Sequence, residues 1–420
     1  MPLNILFITE NFPPEVNAAA TRVYERACHW VKAGHSVTVL TCFPNFPQGR
    51  IYEGYRQSWY SAGDMDGIRV IRLPTYVARN EGFFRRTADF VSFMIVSVIA
   101  SLFVRRPDVV AATSPQFFSA VAGWLIGALK RRPFVFEVSD LWPASIAAVG
   151  AMSKGRIYHA LEALELFLYR RAAAVVVLTA SFREDLIRRG IDPRKIAVVI
   201  NGVDLSRYQK RGKDQDLIAQ FGLRDKFVVG YVGTHGMAHG LDNAVAAAEM
   251  LRDDDRFRLL LVGDGAVKSA LVRQAEEASL TNVVFVPPQP KAMMPRIWSI
   301  CDAALIHLKN DATFSEVIPS KMFEAMAMGV PLLMAAPAGE ASRILEREAA
   351  GVRVSSESPS ELAEETRRWM NHPEIVSRYA YSSLAAASGY SRQRQAEALI
   401  EILQAASRGR GAAVSSMSTG

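Results

Sequence analysis

Short apolar runs alternate with helix-length segments along almost the whole sequence, and that rhythm leaves few folds open to the chain. A run such as Asn4–Thr9 is too short for a helix and reads as a strand buried on both faces. The helix-length stretch after it is the crossover that a parallel neighbour requires. The strands expected in the first half are Asn4–Thr9, Ser36–Thr41, Arg69–Leu73, Asp108–Ala112, Phe134–Val138, Ala174–Leu178 and Ile196–Ile200. Helices are expected at Ala18–Ala33, Ala88–Val104, Phe118–Lys130 and Arg156–Arg171, and Ser181 is placed as the N-cap of a helix stopped by Gly190.

The rhythm pauses over Asn201–Gly222, which is polar and charged, and resumes with strands at Phe227–Val232, Arg258–Val262, Val283–Val286, Ala303–Ile306 and Pro331–Ala335. A chain of 420 residues is too long for one core. The expected fold is therefore α/β, with two doubly wound parallel-sheet (Rossmann-like) domains facing a central cleft. The boundaries read as 1–205 and 206–390, followed by a C-terminal helix over 391–406 and a disordered tail over 407–420 whose Arg/Gly/Ala/Ser composition buries little.

Charge is unevenly spread. Residues 1–200 hold 24 Lys/Arg against 16 Asp/Glu, whereas residues 201–420 hold 25 against 26. A basic first half asks for an anionic partner, and the sequence lacks the basic, aromatic-interleaved or zinc-spaced segments that would make it nucleic acid. Cys28, Cys42 and Cys301 form no CxxC pair and read as small buried hydrophobes in a reducing cytosol. The start, MPLNILFITE, carries no basic region before its apolar run and reads as a first strand rather than a signal peptide. The longest apolar stretch, Phe90–Val104, falls short of the roughly 20 residues of a spanning helix.

The most informative segment is FSEVIPSKMFEAMAMGVP. Pro319 favours a helix start, so Glu316 falls in the loop before a helix that begins at Pro319 or Ser320 and ends at Gly329, with Glu324 in its second turn. The N–H groups of Ser320, Lys321 and Met322 would meet an anion, with Lys321 adding a cation, and the two carboxylates would grip hydroxyls. An amphipathic helix with two solvated glutamates accounts for the same spacing.

That segment resembles the E-x7-E donor signature of retaining GT-B glycosyltransferases of family 4. The likeness extends through NFPPEVNAAATRVYERACHWVKAGHSVTVLT, VVINGVD, YVGTHGMAHGLDNAVAAA, LLVGDGAVKSAL and VVFVPPQ. FPNFPQGRIYEGY, VARNEGFFRR, ATSP and FEVSDLWP resemble the branch that adds N-acetyl-L-fucosamine or related aminosugars during O-antigen and capsule assembly. The resemblance implies that Glu316 contacts the donor sugar and Glu324 the ribose, with the diphosphate at Ser320 and Lys321. Gly233, Thr234, His235 and His239 then line the donor side, as do Gly265 and Lys268 in the GDGAVK turn, where Lys268 faces either ligand or solvent. Asn17, Arg22 and Ser139 fall on the acceptor side.

Three positions depart from that family. Asn17 stands where a glycine is usual, although Asn tolerates left-handed φ. Thr234 and His239 replace an Arg and a Lys that often meet the diphosphate, and Ser139 replaces an active-site His. Asp140 follows the strand FVFEV and either assists the acceptor hydroxyl or caps the next turn.

The function expected from this reading is retaining, metal-independent transfer of a sugar, in the aminosugar class, from a UDP-sugar to a polyprenyl-diphosphate-linked saccharide. UDP-sugar is a substrate, and neither cofactor nor nucleic acid enters. A UDP-sugar 2-epimerase on the same fold and a non-catalytic membrane or sugar-binding protein are the competing classes. Two apolar stretches, bounded by Phe83, Phe84, Arg85, Arg86, Arg105 and Arg106 and by Lys130, Arg131 and Arg132, read either as buried helices or as a peripheral anchor on the anionic inner face of the plasma membrane.

Overall fold

The structure is a computed structural model that describes residues 2–15, 17–46, 49–77, 83–114, 116–148, 152–153 and 155–409. The tail expected to be disordered lies outside the described residues from 410 onward. The chain divides into two compact units, Met1–Ile200 with Gln393–Gly420, and Asn201–Arg392.

The first unit is built on an eight-stranded sheet: β1 (Asn4–Ile8), β2 (Ser36–Cys42), β3 (Ser61–Met65), β4 (Ile68–Leu73), β5 (Val109–Thr113), β6 (Phe134–Val138), β7 (Ala174–Val177) and β8 (Ile196–Val198). Their spatial order is β3-β4-β2-β1-β5-β6-β7-β8, parallel throughout except for β3 against β4. The chain winds outward in both directions from β1, so the strand order reverses between β1 and β5. Ile5, Leu6, Phe7 and Ile8 are all buried because helices cover both faces of the sheet. Each such side chain removed from water contributes about 1.5–3 kcal/mol.

The second unit carries six parallel strands: β9 (Phe227–Val232), β10 (Phe257–Val262), β11 (Val283–Val286), β12 (Ala303–His307), β13 (Leu332–Ala335) and β14 (Gly351–Val354), ordered β11-β10-β9-β12-β13-β14.

Two strands were not expected. β3 (SAGDM) is exposed along its length and shows no apolar run; it exists as the outer arm of a hairpin turned by Asp66-Gly67, both at positive φ. β14 has only four residues and no core face of its own length. The helix expected at Ala88–Val104 runs from Phe83 to Ser101. Thr179, not Ser181, caps the helix Ala180–Arg188, its hydroxyl accepting from the Phe182 N–H.

The helix Arg392–Ser407 does not stand apart. Ala396, Leu399, Ile402, Leu403 and Ala406 pack with Val23, Ala27 and Trp30 in the first unit's core, and the Trp30 indole donates to the Ala396 carbonyl at 2.8 Å.

Candidate functional site

In the second unit, the loops leaving β9 and β10 interlock. The His235 N–H donates to the Asp264 carbonyl at 2.8 Å, and the Val267 N–H returns a bond to the His235 carbonyl at 3.0 Å. The approach is so close that a Cβ on Gly263 would fall 1.9 Å from the Gly233 carbonyl oxygen, and one on Gly265 would fall 2.5 Å from that of His235. Both glycines also sit at positive φ, so only glycine fits. Gly265 thereby fixes the loop, and its own N–H is taken by the Asp264 carboxylate at 2.8 Å. The Lys268 ammonium donates to the Gly263 carbonyl at 2.9 Å.

Above this platform lies Lys321. It opens the helix Lys321–Ala327, and its Nζ stands 3.5 Å from the centre of the Tyr231 ring. That nitrogen is buried and has no hydrogen-bond partner among the described residues. Burial pushes its pKa down to about 7, with the Glu324 charge opposing. The Tyr231 hydroxyl donates to the Thr234 carbonyl at 2.8 Å, which locks the ring under the ammonium. Three histidines surround the same point. Among the described residues, His235 is fully buried with neither ring nitrogen partnered, His239 has its Nδ1 buried and unpartnered, and His307 ends β12 at 2% exposure. All three are held down to about 4, by burial first and then by neighbouring positive charge at His235 and His239, so the rings are neutral at neutral pH.

Glu324 lies one turn beyond Lys321. The Trp298 indole donates to its Oε2 at 3.4 Å, and burial raises its pKa against the opposing influence of the Trp298 and Tyr208 side chains. Glu316 is half-buried in the turn that follows the short helix Ala312–Ser315. The helix expected from Pro319 to Gly329 is thus shorter at both ends. The Met322 N–H, expected to be free for an anion, donates to the Pro319 carbonyl at 3.1 Å, and Ser320 is exposed and makes no side-chain cap. Thr234 is exposed at the loop tip.

In the first unit, Arg22, expected on the acceptor side, lies in a buried ion-pair network. It is 4% exposed and paired with the buried Glu137 at 3.1 Å, which also takes Arg26 at 2.6 Å. The Arg22 guanidinium further bonds Ser139 and Thr113, so Ser139 belongs to the same buried network. Asn17 is extended rather than left-handed (φ −118°), and its Oδ1 caps the helix Ala18–Lys32 by accepting from the Ala20 N–H at 2.8 Å. Asp140 sits just past β6, its pKa raised by burial against the opposing influence of the Ser145 hydroxyl and the Leu141 N–H.

Residues 17–202 match the glycosyl transferase 4-like domain family, and residues 214–384 match glycosyl transferases group 1. Together the two matches span most of the chain. The chain belongs to the GT-B glycosyltransferases. It is 27% identical over 337 residues to WcaI of Escherichia coli (strain K12), named for glycosyl transfer in colanic acid biosynthesis, covering 78% of this chain and 82% of that protein. It is 25% identical over 289 residues to the glycosyltransferase WbjE of Pseudomonas aeruginosa, covering 68% and 72%. Its fold matches that of Anabaena HepE, solved in complex with UDP, at a TM-score of 0.71 and 18% identity over 96% of this chain and 100% of that one.

In this glycosyltransferase the two apolar stretches are helices with one buried and one open face. Phe93 is fully buried, whereas Ile95, Ile99, Leu102, Phe103 and Leu129 are at least half exposed. Arg85 and Arg105 are exposed, and Arg106 is tied to the Lys130 carbonyl at 3.1 Å. Arg86 lies over the Phe90 ring and lines a cavity. The side chains of Phe83 and Phe84 lie outside the described residues. No described helix is long and apolar enough to cross a membrane. Tyr231, His307, Trp298 and Tyr208 escaped the sequence reading because each is an ordinary strand, helix or loop residue until tertiary packing brings it to Lys321 or Glu324.

Proposed function

We propose that this glycosyltransferase moves a sugar from a UDP-sugar, with retention of anomeric configuration and without a metal, to a lipid-linked saccharide. The observation that carries this reading is the buried, unpartnered ammonium of Lys321 among three neutral histidines. A buried cation without a partner costs several kcal/mol, and a diphosphate placed against Ser320 and Lys321 offsets that cost. His235 and His239 donate hydrogen bonds without charge, so Lys321 is the principal counter-charge as the diphosphate departs. Glu324 accepts from the ribose and Glu316 from the donor sugar. Asp140 orients or deprotonates the acceptor hydroxyl. The resemblance to the aminosugar branch and the UDP-bound relative of the same fold support the donor class. The likeness to WcaI, named for colanic acid biosynthesis, supports the acceptor being a growing polysaccharide.

The open face of Ile95, Ile99, Leu102, Phe103 and Leu129, edged by Arg85, Arg105 and Arg131, supports peripheral docking on an anionic bilayer at the cytosolic face of the plasma membrane.

A panel of UDP-sugars, N-acetylated aminosugars included, tests the reading by thermal unfolding. A ligand at 100 times its Kd stabilises by about 2.7 kcal/mol. Stabilisation by at least one member, unaffected by chelator, is expected; no stabilisation by UDP or any UDP-sugar rejects it. The anomeric configuration of the product, read by proton NMR, tests retention.

A further inference from the structure

A second polar cavity lies wholly within the first unit, at the carboxyl ends of β1, β2 and β5, where the strand order reverses. Open α/β sheets bind ligands at that reversal, beyond the strand ends. The cavity measures about 50 Å³, several times the roughly 10–15 Å³ that one water needs, which is room for the polar edge of a small ligand.

Its walls are built before any ligand arrives. Gln116, just past β5, donates to Asn11, just past β1; Asn11 donates to Glu15 at 2.9 Å; and Glu15 holds the N–H groups of Asn45 and Phe46 at 2.8 and 2.9 Å. Two oxygens are left over. Glu10 is 6% exposed, and its Oε1 is buried with no hydrogen-bond partner among the described residues. The side-chain oxygen of Gln116 is likewise buried and without a partner among the described residues. Unmet buried acceptors are costly and rare in native proteins, and each calls for a donor. Burial, with Asp89 and Glu15 nearby, pushes Glu10 well above the usual carboxyl range, and in either protonation state it pairs with a group that both donates and accepts. A hydroxyl does both. A carboxylate or phosphate only accepts, and would meet a wall whose own acceptors are already short of donors. The lining carries Glu10 and Asp89 against a single guanidinium, Arg86, which lies over the Phe90 ring.

We propose that this cavity seats the terminal sugar of the acceptor by its hydroxyls and selects a neutral sugar over a uronic acid, Glu10 and Gln116 being the specificity-determining residues. The proposal rests on the transferase reading, since a transferase needs a second saccharide site apart from its donor site.

Saturation-transfer NMR on the full chain tests it, with the methyl glycosides of glucose, galactose, N-acetylglucosamine and glucuronic acid, and UDP in a separate sample. At least one neutral glycoside should receive saturation from wild type and the glucuronide should not. Glu10→Leu and Gln116→Leu, which replace unmet acceptors with apolar groups of similar size, should each weaken the glycoside by about tenfold or more in Kd. Both should still melt cooperatively and bind UDP as wild type does. Neutral glycosides that fail on wild type, bind both variants undiminished, or bind no better than the glucuronide overturn the proposal. UDP binding without glycoside binding overturns this cavity and leaves the transferase reading intact; glycoside binding without UDP binding leaves the cavity and removes that reading.

Discussion

The ammonium of Lys321 stands 3.5 Å from the centre of the Tyr231 ring, on the ring's electron-rich face, with the Glu324 carboxylate as a further neighbour of favourable sign. A cation held this way is half-committed: the ring attracts it, yet no oxygen of the described residues hydrogen-bonds it.

From this follows a pH signature with two opposite signs. In the free protein Lys321 titrates near 7 instead of 10.5, so between those values the unfolded chain binds more protons than the folded one. Stability of the free protein therefore rises with pH through that window, as the penalty of a buried charge is relieved. UDP does the reverse. A bound diphosphate raises the Lys321 pKa, so affinity is full below about pH 7 and falls toward tenfold per pH unit above it, until the bound-state pKa is reached. Calorimetry from pH 6 to 9 should show proton uptake on binding, and Lys321→Met should bind UDP weakly with a flat profile.

Glu316→Ala should lower turnover by about 10²-fold or more, as does loss of a group that acts on the reacting centre. Glu324→Ala should chiefly weaken UDP binding, by about 1.5–3 kcal/mol, with a smaller effect on saturated turnover. Steady-state kinetics with saturating acceptor separates the two. Wild-type constants for both variants would remove them from the donor site.

Glu137→Gln should destabilise the protein by about 3–5 kcal/mol, because it leaves Arg22 and Arg26 buried without their shared carboxylate. Urea unfolding measures this. If Arg22 instead served the acceptor, Arg22→Met would lose turnover without losing stability.

Binding to anionic vesicles at low salt should weaken as salt is added, since exposed charges are screened within about 8 Å at physiological ionic strength. Arg85→Ser with Arg105→Ser should reduce co-sedimentation at low salt. Phe103→Ser with Leu102→Ser should remove the part that survives high salt. Wild-type protein that stays in the supernatant at low salt marks this face as ordinary surface.

Much of this architecture was legible because buried parallel strands write themselves as continuous apolar runs; Phe134–Val138 and Phe227–Val232 begin and end where the sequence says. β3 was not, because a hairpin arm in water needs no apolar residue, although Asp66-Gly67 carried its turn signal. The Glu316–Pro319–Glu324 spacing pointed to the right helix but not to its length, since Met322 spends its N–H on Pro319. Lys321 was read as a cation at a helix start but without its surroundings: Tyr231 and His307 reach it only through the pairing of β9 with β12. Asn17 and Arg22 were placed by resemblance, and neighbours far away in sequence, Glu137 above all, decided what Arg22 does.

The return of the last helix to the first unit has a consequence for how the chain is made. Domains ordinarily fold in order as they leave the ribosome, at roughly 5–20 residues per second. Here the surface formed by Val23, Ala27 and Trp30 waits for Ala396, Leu399 and Leu403, which are synthesised after the whole second unit. The first unit must therefore carry an open apolar groove throughout the birth of the second, and a nascent chain stopped at Ile200 would hold that groove uncovered.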